Sequence, residues 1–103
     1  MTRGTTPTIT LTVTDVPLAG ATIYLAFRQG RHLLIKSGSD LTVDTAEGTV
    51  AVTLTQAETL QFAPGTCEIQ IRGIYATGVS FATEIITDQV YDVIQNGIID
   101  TAE

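Results

Sequence analysis

The sequence has little of what catalytic and metal-binding sites need. Its 103 residues contain one cysteine, one histidine and no tryptophan. The lone Cys67 excludes an internal disulfide, which fits assembly in a reducing cytoplasm. One histidine and one cysteine cannot supply the three or four ligands of a zinc site. The sequence therefore predicts no metal and no cofactor.

Long apolar runs and excess positive charge are also missing. No run approaches the ~18 apolar residues that span a bilayer, and residues 1–10 lack the apolar segment of a secretory signal. The net charge of −6 and the pI near 4.4 argue against a general nucleic-acid role. We therefore expect neither a membrane nor a nucleic acid as a partner.

Threonine is abundant, with nineteen threonines against three serines. Because threonine is β-branched and tolerates the solvent face of a strand, this excess favours an all-β protein. Seven segments are predicted as strands, and apolar residues alternate with polar ones in most of them: 8–13, 21–28, 31–36, 40–44, 49–54, 66–75 and 79–86. Residues 88–100 are ambiguous, and we favour a strand that ends in a turn at Asn96-Gly97.

The pattern predicts one immunoglobulin-like β-sandwich domain of about seven antiparallel strands over residues 1–103. Residues 1–7 and 95–103 are candidate flexible arms. Gly73 is a candidate β-bulge that shifts the alternation for Ile74 and Tyr75. The predicted inward residues are Ile9, Leu11, Val13, Ala21, Ile23, Leu25, Phe27, Leu41, Val43, Val50, Val52, Leu54, Cys67, Ile69, Ile71, Val79, Phe81 and Ile85.

The segment "LTQAETLQF" (54–62) is the exception to the strand pattern. Thr55 and Glu58 have the spacing of a helix capping box, and Pro64 and Gly65 stop the helix soon afterwards. A single turn near residues 55–61 needs packing to hold it. Glu58 as a catalytic acid is the alternative, but we interpret Glu58 as a cap and the turn as a corner between two sheets.

Other chemistry-bearing residues have weak patterns. A catalytic pair of His32 and Cys67 is formally possible, but a cysteine among isoleucines is more often an inert core residue. Asp40, Asp44 and Glu47 could offer oxygens to calcium, without the spacing of an EF-hand. We interpret the acidic side chains near the C-terminus as solvated: Asp88, Asp92, Asp100 and Glu103. The tyrosines are interpreted as ordinary strand residues or as part of a binding surface: Tyr24, Tyr75 and Tyr91.

Charge is unevenly distributed along the chain. Residues 1–36 hold four basic side chains and one acid, a net of +3, whereas residues 37–103 hold ten acids and one arginine, a net of −9. If folding keeps these poles apart, copies could associate head to tail at low salt and separate as salt screens the charges.

Five segments occur in a familiar order: "RGTTP" (3–7), "IYLAFRQG" (23–30), "LIKSGSDL" (34–41), "VTLTQAETLQF" (52–62) and "IQIRG" (69–73). Together they resemble a group of small proteins encoded near virion structural genes in tailed phages and prophages of Gram-positive bacteria. The resemblance covers roughly residues 3–99. It implies a virion-, tail- or baseplate-associated sandwich that is made in the host cytoplasm, and it carries over no catalytic residue.

Three functions compete at this stage. The first is a non-enzymatic virion structural or assembly module that contacts other phage proteins or copies of itself. The second is a receptor- or glycan-binding module displayed on a virion, with Tyr24 and Tyr75 as its aromatic platform. The third, a small hydrolase, requires a pocket that joins His32 to an acid.

Overall fold

The computed structural model describes residues 1–100, and within them the chain forms eight antiparallel strands, one short α-helix and one 3₁₀ turn. The all-β prediction is therefore confirmed. The elements are β1 (Thr8–Thr12), β2 (Ala21–Gln29), β3 (His32–Ser37), a 3₁₀ turn (Gly38–Asp40), β4 (Leu41–Asp44), β5 (Thr49–Thr53), α1 (Gln56–Leu60), β6 (Gly65–Tyr75), β7 (Ser80–Ala82) and β8 (Ile86–Val90).

The strands make two sheets. The small sheet has the order β1-β5-β4. The large sheet has the order β3-β2-β6, and β7 and β8 pair with successive stretches of the free edge of β6. This arrangement agrees with the predicted sandwich, while its immunoglobulin-like character stays a prediction.

The core lies between the two sheets. Alternation along β2 buries Ile23, Leu25 and Phe27, because successive side chains of a strand point to opposite faces. The other core residues come from both sheets and from the loops: Val13, Leu18, Val50, Val52, Leu54, Phe62, Cys67, Ile69, Ile71 and Val90. Most of the predicted inward residues are thus confirmed.

Three predicted inward residues are wrong: Val43, Val79 and Ile85 are exposed. Val43 pairs with buried Val50 and shares its face, but it lies on an edge strand where fewer neighbours cover it. Val79 and Ile85 lie outside the strands, because the predicted strand 79–86 is divided. Thr83 occupies the edge of β6 between β7 and β8, where its backbone N–H donates to Ile71 O at 2.9 Å.

The predicted bulge at Gly73 is also wrong. Pairing between β2 and β6 runs without interruption, with Ile23 opposite Gly73 and Thr22 opposite Ile74. A Cβ on Gly73 would lie 2.4 Å from the ring of Phe81. The glycine is therefore a site of close packing, not a break in the alternation.

The short helix α1 begins with the predicted capping box. Glu58 N donates to Thr55 Oγ1 at 3.1 Å, and Thr55 N donates to Glu58 Oε1 at 2.9 Å. The helix buries Thr59, whose hydroxyl donates to Thr5 O at 2.9 Å. The short turn predicted near residues 55–61 is confirmed.

The two chain ends contact the sandwich and each other. The Met1 ammonium group donates to Asp88 Oδ2 at 3.0 Å and to Gln89 O at 2.8 Å. Gln56 forms two hydrogen bonds with the backbone of Ile99, at 3.0 and 2.9 Å. The candidate arms over 1–7 and 95–100 thus lie against the fold, and residues 101–103, including Glu103, lie outside the described part.

Arg3 connects the two ends. Its guanidinium group donates to Phe62 O at 2.7 Å, to Asp92 Oδ1 at 2.7 Å and to Asn96 Oδ1 at 2.6 Å, and it donates to Leu60 O at 3.2 Å. Hydrogen bonds from the Val93 backbone and from Arg3 hold the pKa of Asp92 below its usual range.

Candidate functional site

The outward side of the large sheet is unusually apolar. We define the outer face as nine of the outward positions of three strands: Tyr24, Ala26 and Arg28 of β2, Leu33 and Ile35 of β3, and Glu68, Gln70, Arg72 and Ile74 of β6. The other outward positions of these strands are polar and lie at its margins: Thr22, Ser37 and Thr66. Leu33 is 57% exposed, Ile35 54%, Ile74 42% and Tyr24 40%. Solvated faces of antiparallel sheets are normally polar, so this composition indicates a contact surface.

The charged residues of the outer face follow the strand register. Arg28 lies directly opposite Glu68, and its Nε and Nη2 both lie 3.0 Å from Glu68 Oε1. Arg72 lies opposite Tyr24, and it forms no ion pair with any residue in 1–100. The face thus carries one internally satisfied pair and one additional cation.

Two shallow depressions lie side by side on this face. The larger has a cavity volume of about 390 Å³ and is lined by Tyr24, Ala26, Ile35, Arg72, Ile74 and Ser80. The smaller, of about 110 Å³, shares Ala26 and is lined by Arg28, Leu33, Glu68 and Ile85. Their walls are largely apolar, which suits inserted side chains of a partner better than a reacting polar substrate.

Glu58, the candidate catalytic acid, forms structural contacts in the folded protein. Besides its capping bonds, its carboxylate pairs with Lys36, and both side chains are mostly buried. Burial alone raises the pKa of Glu58, but the hydrogen bonds from Lys36 and from the Thr55 backbone outweigh burial and lower the pKa below its usual value. A carboxylate held in its ionised form by a neighbouring cation is a poor proton donor at neutral pH.

The structure does not join His32 to Cys67. The two residues lie on β3 and β6, which are separated by β2, and no hydrogen bond connects their side chains. The His32 ring packs edge-on against Phe62 with centroids 4.8 Å apart, and its Nε2 has no hydrogen-bond partner within residues 1–100. Burial, and then the neighbouring Asp88 carboxylate, raise the pKa of the Cys67 thiol, which makes it a weak nucleophile.

The candidate calcium residues shape a turn. Asp44 Oδ1 accepts hydrogen bonds from the backbone N–H groups of Ala46 and Glu47, at 3.1 and 3.0 Å. Asp40 belongs to the neighbouring 3₁₀ turn. The described part of the chain has no group of three histidine, cysteine or acidic side chains arranged to hold a metal ion.

The predicted tyrosine platform is not formed. Tyr24 points outward, whereas Tyr75 pairs with Ala21 on the opposite side of the large sheet. The Tyr75 hydroxyl donates to Pro17 O, and its ring packs against Phe81 with centroids 5.6 Å apart. Tyr91 is exposed, but it forms a bridge with Thr2 beyond the end of β8 and lines neither depression of the outer face.

Folding also pairs the two charge poles of the sequence. Three of the four basic side chains in residues 1–36 form ion pairs with acids further along the chain: Arg3 with Asp92, Arg28 with Glu68, and Lys36 with Glu58. The poles are therefore not kept apart, and the condition for head-to-tail attraction between copies is not met.

Sequence reasoning missed the outer face. A signal was present, because "HLLI" (32–35) is apolar without alternation and places Leu33 and Ile35 on the side opposite Leu34.

None of the helices within residues 1–100 is long and apolar enough to cross a membrane. No known protein family, curated protein or solved structure matches the chain significantly.

Proposed function

We propose that this chain is a non-enzymatic structural or assembly module of a tailed phage or prophage virion, and that it acts through protein–protein contacts of the outer face. The observation that carries the proposal is the exposure of Tyr24, Leu33, Ile35 and Ile74 on one side of the large sheet. Burying apolar surface contributes roughly 25 cal/mol per Å², so covering this face favours association.

The resemblance to phage-encoded proteins supplies the virion context, and the sandwich supplies a rigid support for the face. The internal ion pairs of Arg3, Arg28 and Lys36 leave less charge for long-range attraction. Association is therefore expected to be driven by apolar contact and to persist at physiological salt, unlike attraction between opposite poles.

The test uses a phage or prophage that carries the gene. Deleting the gene is expected to lower the yield of complete particles, and mass spectrometry of purified virions is expected to find the chain at a fixed copy number. Complementation with Ile35→Lys should fail, because a charge would be buried in the contact. Thr10→Lys, which adds the same charge on an exposed position of the small sheet, should complement.

Two outcomes would contradict this function. One is a virion that lacks the chain and forms normally after the deletion. The other is equal complementation by Ile35→Lys and Thr10→Lys, provided that both variants accumulate as folded protein in the host.

Display of a receptor- or glycan-binding module is the second candidate. The observation that favours it is the exposed ring of Tyr24 on the wall of the 390 Å³ cavity, beside the Arg72 guanidinium. Aromatic rings beside hydrogen-bond donors are suited to sugars. A glycan array should then report binding that Tyr24→Ala abolishes and Tyr91→Ala preserves, and an array without any signal removes this candidate.

A further inference from the structure

We propose that a second copy of this chain packs face to face on the outer face, about a two-fold axis that crosses the strands at Ala26. Each Arg72 then lies over Glu68 of the other copy, and each Tyr24 lies over Arg28 of the other copy. The proposal deepens the proposed function, because it names one partner for the same surface.

The strand register makes the face symmetric about Ala26. On β2, Tyr24 and Arg28 lie two residues to either side of Ala26, and their partners on β6 are Arg72 and Glu68 respectively. Two residues of a strand span about 7 Å. Arg72 and Glu68 of β6 therefore lie at equal distances along the strand from the row that passes through Ala26.

A two-fold rotation about an axis along that row exchanges its two sides. It brings Arg72 of one copy onto Glu68 of the other, and by symmetry the same contact forms twice. It also places the Arg28 guanidinium over the Tyr24 ring of the other copy, which is a favourable cation–π arrangement. No like charges of these strands are opposed in this arrangement.

Glu68 has the capacity for a second cation. Arg28 uses Oε1 of the Glu68 carboxylate, and an ionised carboxylate offers about four acceptor positions over its two oxygens. The Glu68 side chain is 41% exposed. Arg72 is exposed and has no ion-pair partner within residues 1–100. The two-fold rotation places it over Glu68 of the other copy.

One apolar residue of β3 adds a contact at the axis, while Leu33 lies over Ser37 of the other copy. Ile35 lies opposite Ala26, so the axis passes beside it and the two Ile35 side chains meet. The outer face spans three strands and four rows of residues, a flat footprint of roughly 400 Å². Two copies then bury roughly 800 Å² in total, less than the ~1,200 Å² at which standard specific interfaces begin, so we expect a weak dimer with a dissociation constant on the order of 100 µM.

Charge symmetry favours a second copy over an unrelated partner. The face carries its own complement, because Arg72 and Glu68 have opposite charges and the two-fold rotation exchanges their positions, whereas an unrelated protein would have to supply matching charges of its own. Each copy carries a net charge of −6, and this repulsion is screened over about 8 Å at physiological salt. Association should therefore strengthen or stay constant as the salt concentration rises from low values. Head-to-tail attraction between opposite charge poles would instead weaken.

The test is sedimentation velocity on the purified chain from about 1 µM to about 1 mM, which brackets the expected constant. Wild type should change from monomer to dimer over this range. Arg72→Glu and Glu68→Arg should each weaken dimerisation at least tenfold, because each places two like-charged pairs in the contact. Arg31→Glu, a charge reversal at an exposed residue beyond the outer face, should leave it unchanged.

Mixing the two face variants gives the decisive measurement. In a mixed dimer, the glutamate introduced at position 72 lies over the arginine introduced at position 68 of the other copy. The native Glu68 of the first variant lies over the native Arg72 of the second, so both ion pairs return. Each reversal changes the net charge of −6 by two, which leaves −8 and −4, so net charge still repels. An equimolar mixture should dimerise at least tenfold more tightly than either variant alone.

A chain that stays monomeric at all concentrations would overturn this inference. So would a dimer whose dissociation constant is unchanged by the charge reversals, or a mixture of the two variants that dimerises no more tightly than either variant alone. Circular dichroism and thermal unfolding check that each variant is folded, and Arg72→Gln with Glu68→Gln serve as milder variants. Because these measurements use the purified chain alone, a negative result leaves virion assembly with another partner to be judged from the deletion experiment.

Discussion

The ring of Phe81 occupies the space that a side chain on Gly73 would take. The Cε1 and Cζ atoms of Phe81 would lie 2.4 Å from a Cβ on Gly73, and Ile23 Cδ1 would lie 3.2 Å from it. Gly73 and Phe81 are direct partners in the pairing of β6 with β7. The missing side chain on β6 is thus replaced by a ring from β7, which covers the interior at the edge of the sheet.

Gly73→Ala is expected to destabilise the fold by roughly 1–3 kcal/mol, because an added methyl group must displace the Phe81 ring. Urea unfolding measures the change. The cost should shrink in a Phe81→Leu background, since neighbouring substitutions are coupled. Gly97→Ala is the matched control, because nothing lies within 4 Å of its Cβ position. Additive costs for Gly73→Ala and Phe81→Leu would contradict this packing.

Arg3→Lys is expected to destabilise the fold by about 1–3 kcal/mol, since an ammonium group cannot reach the Phe62 and Leu60 carbonyls and Asp92 together. Arg31→Lys, at an exposed site, should change stability by less than about 0.5 kcal/mol. Amide hydrogen exchange should also quicken in residues 92–100 of the Arg3 variant. Unchanged exchange there would show that Arg3 does not hold the C-terminal segment.

Glu58→Gln tests a pH dependence whose sign follows from the lowered pKa of Glu58. A lowered folded-state pKa contributes stability above the ordinary value of 4.5, and that stability is lost as pH falls through the folded-state pKa. Wild type should exceed the variant by roughly 1 kcal/mol at pH 7, and the difference should vanish well below pH 4.5. Glu47→Gln is the matched substitution at an exposed carboxylate, and it should change stability at pH 7 by less than about 0.5 kcal/mol. A difference between wild type and Glu58→Gln that grows on acidification would refute the assignment.

His32→Phe is expected to leave the fold intact and to raise its stability by up to about 1 kcal/mol. The substitution keeps an aromatic ring against Phe62 and removes a buried nitrogen that has no partner within residues 1–100. Thermal unfolding measures the effect. A loss of more than about 1 kcal/mol would mean that Nε2 forms a bond that the structure does not contain.

The fold was predictable where one rule decided the outcome. Alternation placed Leu25 and Ile71 in the core, and the capping pattern of Thr55 and Glu58 located α1. Alternation failed at Val79 and Ile85, because it cannot show that Thr83 would interrupt the strand by binding β6. Local patterns carry no information on such long-range hydrogen bonds.

The candidate site was harder to predict, because it depends on neighbours from different strands. Leu33 and Ile35 could have been noticed in an apolar run that does not alternate. The ring of Tyr24 beside Arg72 follows only from the register of β2 with β6. The charge asymmetry of the sequence was misleading for the same reason, since strand pairing brings Arg28 to Glu68.

The most direct test of the outer face as the contact surface is thiol accessibility. Ile35→Cys places an exposed thiol on that face, Thr10→Cys places one on the small sheet, and native Cys67 is buried and does not interfere. In dilute protein both introduced thiols should react rapidly with iodoacetamide. In purified virions the thiol at position 35 should be protected at least tenfold while the thiol at position 10 still reacts, whereas equal reactivity in the particles would contradict the account.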